Sequence, residues 1–116
     1  MAPLVVLGGE GVVLAGGAAG GTRLRSALVQ VLAGVLDEGI SLEEAVERPR
    51  LHPVGDVVHV EPGWEEAALE ALAAAGYEVR RWPSRHHYFG GVSAIGPHGG
   101  AGDPRRSGGA ETVSRP

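Results

Sequence analysis

The chain has 116 residues, a formal net charge of −4, 43% hydrophobic residues, 4% aromatic residues and no cysteine. These values exclude disulfides, thiol nucleophiles and thiolate metal sites, and argue against general nucleic-acid binding through charge or base stacking. They leave room for one domain with a single modest core, and, because all ten basic residues are arginine, no lysine is available for Schiff-base chemistry.

Residues 4–7 and 12–15 are short apolar runs separated by Gly8-Gly9-Glu10-Gly11, a hairpin signal. Their unbroken apolarity predicts strands covered on both faces of a layered sheet. Residues 16–24, Gly-Gly-Ala-Ala-Gly-Gly-Thr-Arg-Leu, read as a glycine-rich loop entering a long helix over 22–38. Leu24, Leu28, Val31, Leu32, Val35 and Leu36 form one apolar stripe on that helix. Thr22 is its expected N-terminal cap and Gly39 its left-handed stop.

Ser41-Leu42-Glu43-Glu44 has the spacing of a capping box and opens a short helix. Pro49 ends that helix near Arg48, because the residue before a proline avoids helical geometry. A strand is predicted over Val57–Val60, a helix over 64–75 with Leu69 and Leu72 inward and Gly76 as its stop, an alternating strand over 77–82 and a last strand over 91–95. Residues 96–116, rich in Gly, Pro, Arg and Ser, read as an irregular tail, with 111–116 expected to be flexible. Strands gather at both ends with helices between, which predicts an α+β arrangement. No apolar run reaches about 18 residues, so no membrane span is expected. The first residues lack a basic leader and a cleavage site, so no signal peptide is read and the compartment stays open.

The glycine loop carries the chemistry. Glycine lets another group approach the backbone N–H donors closely, and a helix start adds unpaired donors suited to negative charge. Gly16 to Gly21 has the glycine spacing of a phosphate loop, but Thr22 stands where that loop needs lysine. The dinucleotide pattern is also absent, and a hairpin precedes the loop where a βαβ unit would begin. A turn packing a helix close to a sheet and an anion-binding element centred on Gly20 and Gly21 both remain open. Arg50 and His52, following Pro49, read as a structural turn with an arginine ion pair. His86 and His87 would point to opposite faces of a strand and have no carboxylate nearby, so no metal is expected. Asp103-Pro104-Arg105-Arg106 reads as a surface charge cluster, with docking on a partner or capping of the sheet as the alternatives. Glu43, Glu44 and Glu47 read as a solvated helix face.

Gly17-Ala18-Ala19-Gly20-Gly21-Thr22-Arg23-Leu24 resembles the Gly-Ser-Pro-Gly-Gly-Ser-Arg-Ile segment of the gamma-glutamyltransferase (gamma-glutamyl transpeptidase) family. Met1-Ala2-Pro3-Leu4-Val5-Val6 is similar to that family's Met-Ser-Pro-Thr-Ile-Val. Leu28-Val29-Gln30-Val31-Leu32 sits where its long helix reads Val-Leu-Gln-Val-Leu. The stretch from Glu43 to His52 resembles its Glu-Ala-Val-Asp-Ala-Pro-Arg-Phe-His, and residues 63–76 the helix that follows. Phe89-Gly90-Gly91-Val92-Ser93-Ala94-Ile95 and Asp103-Pro104-Arg105-Arg106 resemble its closing strand and tail. The resemblance runs to about Ala110.

That resemblance implies part of an N-terminal-nucleophile hydrolase fold, an αββα sandwich, over residues 1–110. It implies gamma-glutamyl transfer from amides such as glutathione to water or an amino acid, with the backbone N–H groups of Gly20 and Gly21 as the oxyanion hole and no cofactor. The family's nucleophilic threonine and its Ser-Ser pair for the glutamate carboxylate fall upstream of Met1. Thr22 reads as a helix cap and Thr112 lies in the tail, so neither replaces that nucleophile. Ala18-Ala19 stands where the family has Ser-Pro. The expected partner is therefore the upstream part or large subunit of the same enzyme. The alternatives are a non-catalytic anion-binding module and a degenerate remnant. Members of the family are often exported, which leaves localisation unassigned here.

Overall fold

Two sheets divide the chain. A computed structural model describes residues 2–111, and of Thr22 the backbone alone. In chain order the elements are β1 (Ala2–Gly8), β2 (Gly11–Ala19), α1 (Leu24–Leu32), α2 (Leu42–Glu47), β3 (Leu51–Val54), β4 (Val57–Val60), α3 (Glu66–Ala74), β5 (Glu78–Arg81), β6 (Gly91–Gly96) and β7 (Gly99–Ala101). The first sheet is antiparallel with order β1-β2-β6-β7. The second has order β3-β4-β5, its β3–β4 pair antiparallel and its β4–β5 pair parallel across α3. The α+β class is as expected from the sequence.

The hairpin closes between Gly8 and Gly11, but β2 runs on through Ala19, pairing Gly16 with Ala94 and Gly17 with Ser93. Most of the predicted glycine loop is therefore strand, and the loop shrinks to Gly20-Gly21. Gly16 sits so close to β6 that a Cβ there would come within 2.5 Å of the Ser93 carbonyl oxygen. The predicted long helix is three pieces: a 3-10 turn at Gly21–Arg23, then α1, then a π-helical turn at Ala33–Asp37 closed by the Glu38 N–H donating to the Ala33 carbonyl (3.1 Å). Gly39 takes the left-handed conformation expected of it (φ 70°), and the Ser41 hydroxyl accepts from the Glu44 N–H at 3.1 Å.

Two strands were not anticipated. The short β3 contains Pro53, and the Gln30 amide of α1 engages both backbone groups of Leu51, donating to its carbonyl (2.8 Å) and accepting from its N–H (3.0 Å). The other, β7, forms inside the predicted irregular tail.

The first sheet has one covered face. Ala18, Val92 and Ala101 point toward α1 and α2, where Ala27, Val31, Ala45 and Val46 complete a core. On the opposite face Val5, Leu7 and Ile95 are 59%, 72% and 63% exposed. Both-face coverage, expected from the apolar runs, is thus not met by these residues alone: alternate side chains of β1 and β6 face solvent. A second, smaller core of Val58, Val60 and Leu69 lies between the second sheet and α3.

Candidate functional site

The turn at Gly20-Gly21 joins the end of β2 to α1. Gly20 has φ 139° and Gly21 φ 58°, values that side-chain-bearing residues rarely adopt. The Arg23 N–H donates to the Gly20 carbonyl at 3.1 Å and closes the turn. Among the described residues the two adjacent N–H groups of Gly20 and Gly21, between β2 and α1, have no acceptor outside the regular elements, and Gly21 is exposed.

A second loop holds this turn in place. A 3-10 turn at His87–Phe89 leads into Gly90 (φ 83°), whose Cα would lie 2.9 Å from a Cβ at Gly20. Only glycine allows that approach. Arg23 donates from Nε to the Tyr88 carbonyl (3.0 Å), and its guanidinium carbon lies 4.6 Å from the centroid of the Tyr88 ring. Stacking of charge on the aromatic face adds to the hydrogen bond. The glycine turn is thus pinned from both sides by residues 88–90.

That second loop is in turn fixed by a buried charge network. Arg50 is 1% exposed and donates to the carbonyls of Phe89 (3.2 Å), Gly90 (3.3 Å) and Val46 (3.0 Å), with its guanidinium 2.6 Å from the Asp103 carboxylate. Arg105 meets Glu61 through Nε (2.8 Å) and a terminal nitrogen (2.5 Å), reaches Asp103 at 3.1 Å and donates to the carbonyls of Val46 (2.7 Å) and Arg48 (2.8 Å). Asp103 also accepts from the N–H groups of Val92 (2.9 Å) and Arg105 (3.0 Å). Burial pushes the Asp103 carboxyl up, but Arg50, those two N–H groups and Arg105 outweigh it and hold the group below its ordinary value. For Arg105, burial opposes the charge, and Glu61 with Asp103 more than restores it. The Arg50 Nε is buried without a partner among the described residues.

The network corrects one expectation and bears out another. Asp103 and Arg105 are not a surface cluster: the tail folds back and buries both, because each finds a full set of partners on distant elements. The arginine ion pair expected after Pro49 is present as Arg50–Asp103. Glu61 was missed. It ends an apolar strand before Pro62 and looks locally like a loop residue.

Beside the glycine turn, on the open side of the first sheet, lies a cavity of about 270 Å³ floored by Gly17, Ala19 and Gly91 and edged by Ser93 and Arg106. The Arg106 stem crosses Gly91 so closely that a Cβ there would overlap Arg106 Cδ and come within 2.8 Å of its Nε. One terminal guanidinium nitrogen is 3.7 Å from the Gly20 Cβ position.

The histidines form a different cluster. Ser26 and His52 Nδ1 share a hydrogen bond of 2.8 Å, and His59 Nδ1 accepts from Trp82 Nε1 at 3.0 Å. Tyr88 stacks on Trp82 (centroids 4.7 Å apart) and approaches His59 (5.2 Å) and His52 (6.1 Å). Burial, then the charges of Arg23 and His59, lower the His52 pKa; burial, then Arg80, lower that of His59. His86 and His87 do not lie in a strand; their rings sit 4.1 Å apart, and among the described residues no cluster suits a metal ion. Glu43, Glu44 and Glu47 are exposed, as expected. The capping role read for the Thr22 side chain, and Thr112, lie outside what is described.

The gamma-glutamyltranspeptidase family model matches residues 1–113. An acylase proenzyme from a Pseudomonas species is 36% identical over 82% of this chain and 16% of its own length. The glutathione hydrolase proenzyme of Escherichia coli is 31% identical over 90% of this chain and 19% of its own length. The structure of gamma-glutamyltranspeptidase from Pseudomonas nitroreducens superposes with a TM-score of 0.79 at 30% identity, covering 98% of this chain and 62% of that one. The 116 residues thus span less than a fifth of these curated relatives.

Proposed function

The chain belongs to the gamma-glutamyltranspeptidase family, and from that premise we propose that it supplies the oxyanion-binding turn of a gamma-glutamyl transferase or hydrolase whose nucleophile lies on polypeptide outside these 116 residues. The observation that carries the reading is the pair of N–H groups at Gly20 and Gly21, without an acceptor outside the regular elements among the described residues, on the segment that resembles the family's Gly-Gly pair.

In this reading an N-terminal threonine, its own α-amine acting as base, attacks the gamma-glutamyl carbonyl. The carbonyl oxygen becomes negative and moves into the donor pair. Donors fixed before the reaction cost no reorganisation when charge develops, and one such donor is worth about 3–4 kcal/mol of transition-state stabilisation. Fixing is the task of Gly90, Tyr88 and the Arg50 network behind them. Collapse of the intermediate expels the amine and leaves an acyl-threonine ester, which water or an amino acid then resolves. The exposed apolar face of β1, β2 and β6 is the surface that the remaining layers of the sandwich cover.

Release of p-nitroaniline from gamma-glutamyl p-nitroanilide tests this. The chain alone is expected to give no turnover, and co-expression with the rest of a family proenzyme, nucleophile included, to give turnover. In that complex Gly20→Ala, which sets a Cβ against Gly90, is expected to lower kcat about 10²–10³-fold with little change in KM. Robust turnover by the chain alone, or an unaltered kcat in the variant, would contradict the proposal.

A further inference from the structure

We propose that His59 and His86 are positioning residues for the turn at Gly20-Gly21: His86 directly, and His59 through Trp82, hold Tyr88 in place by hydrogen bonds that exist only while each imidazole is neutral, and Tyr88 holds the turn. The proposal rests on the reading above, in which that turn receives the developing negative charge.

Tyr88 reaches the turn by two routes. Its carbonyl accepts from Arg23 Nε at 3.0 Å, and the Arg23 guanidinium carbon lies 4.6 Å from its ring centroid. Arg23 in turn closes the glycine turn, its N–H donating to the Gly20 carbonyl at 3.1 Å. Two residues after Tyr88, Gly90 meets Gly20 at a distance that leaves no room for a Cβ. A displaced Tyr88 therefore disturbs both contacts of the turn.

Two histidines fix Tyr88, and both use Nδ1 as an acceptor. His86 Nδ1 accepts from the Tyr88 N–H at 3.0 Å and caps the 3-10 turn at His87–Phe89. His59 Nδ1 accepts from Trp82 Nε1 at 3.0 Å, and the indole so placed stacks on the Tyr88 ring, with centroids 4.7 Å and planes 22° apart. An indole N–H and a backbone N–H only donate, so neither bond survives a proton on Nδ1. His52 differs. Its Nδ1 partner is the Ser26 hydroxyl, which can turn from donor to acceptor and keep the contact when the ring is charged.

The charges around the two rings are few. Arg80 and Glu78 on β5 and His52 on β3 share the face of His59. Burial first and Arg80 next lower the His59 pKa, against the weaker pull of Glu78, so its bond is complete above the ordinary value and is lost as the pH falls through the lowered one. Against His86 stand the His87 ring, 4.1 Å away, and the Trp82 indole, 5.1 Å away. Glu61 accepts from the His86 N–H at 3.3 Å and is itself paired with Arg105, while Arg85 donates to the Glu47 carbonyl.

The test has two arms. In the 116-residue chain, carbon NMR between pH 8 and pH 5 is expected to move the Gly20 and Gly21 Cα signals together with the His59 and His86 ring signals. His59→Asn with His86→Asn, whose amide oxygens accept without titrating, is expected to abolish that movement. In the complete complex, His59→Leu with His86→Ala is expected to lower kcat for gamma-glutamyl p-nitroanilide about tenfold at pH 8 with little change in KM. The double asparagine variant is expected to recover most of that loss and to lose less activity than wild type between pH 8 and pH 5. Glycine signals that ignore the histidine titration, or that still move in the asparagine variant, overturn the proposal. So does an activity loss that lies in KM or that asparagine does not rescue. Glycine signals that follow the histidines while kcat stays unaltered in the leucine and alanine variant keep the positioning and count against the oxyanion reading instead.

Discussion

At the seam between the two sheets, Arg50 and Arg105 are enclosed by Asp103, Glu61 and main-chain carbonyls. One residue further on, Arg106 lies along a glycine strand and faces solvent. The two regions use the same side chain, and the difference lies in how much of its hydrogen-bonding capacity the fold consumes. At the seam nearly all of it is consumed, so the charges join α2, β4, β6 and the tail and hold Gly90 against Gly20. For Arg106, among the described residues, no carboxylate matches the charge. Arginine content alone distinguishes neither role; the partners do.

Arg105→Ala attacks the seam most directly. It leaves Glu61 buried without its ion pair, and breaking a buried pair in this way costs about 3–5 kcal/mol, a large share of the stability of a small domain. Chemical denaturation of the variant is expected to show a midpoint far below wild type, or no folded baseline at all.

Acid acts next, on the histidine and aromatic cluster that backs Tyr88. His52 and His59 have folded pKa values below the ordinary 6.5, so the fold favours their neutral forms. Their contribution is complete above pH 6.5 and is lost as the pH falls through the lowered folded values. Protonated His59 could no longer accept from Trp82. The thermal midpoint is expected to fall between pH 7.5 and pH 5, and His52→Asn with His59→Asn to flatten that dependence.

The smallest effect belongs to a fourth arginine. Arg81 pairs with Glu66 through two short hydrogen bonds, but both side chains are more than half exposed. Solvent screening leaves such pairs little net worth. Arg81→Ala is expected to shift the thermal midpoint by no more than the error of the measurement, which sharpens the contrast with Arg105.

The parts legible in the sequence were those encoded locally. The hairpin at Gly8 to Gly11, the Ser41 cap, the Gly39 and Gly76 stops and the stripe of Leu24, Leu28, Val31 and Val35 each depend on residues a few positions apart, whereas Leu36, expected in that stripe, is exposed. Gly20 and Gly21 were also legible as a glycine turn, since both take positive φ. The seam was not, because Arg105 finds Glu61 across 44 positions and Val46 across 59, and nothing near any of the three announces the others. Gly16 and Gly17 misled in the opposite direction. Glycine is a poor strand former, yet here its missing side chain lets β2 lie close against β6. The bare outer face has a similar lesson: an unbroken apolar run marks a strand suited to two covers, and the described residues provide one.

Hydrogen exchange of individual amides tests the central claim most directly, because it asks whether the donors at Gly20 and Gly21 are spent. In the 116-residue chain the Val92 and Arg105 amides, both held by Asp103, are expected to exchange slowly, while those of Gly20 and Gly21 exchange close to the rate of an open peptide. Protection at Gly20 and Gly21 matching that of Val92 would mean both N–H groups already have partners, and no oxyanion could use them.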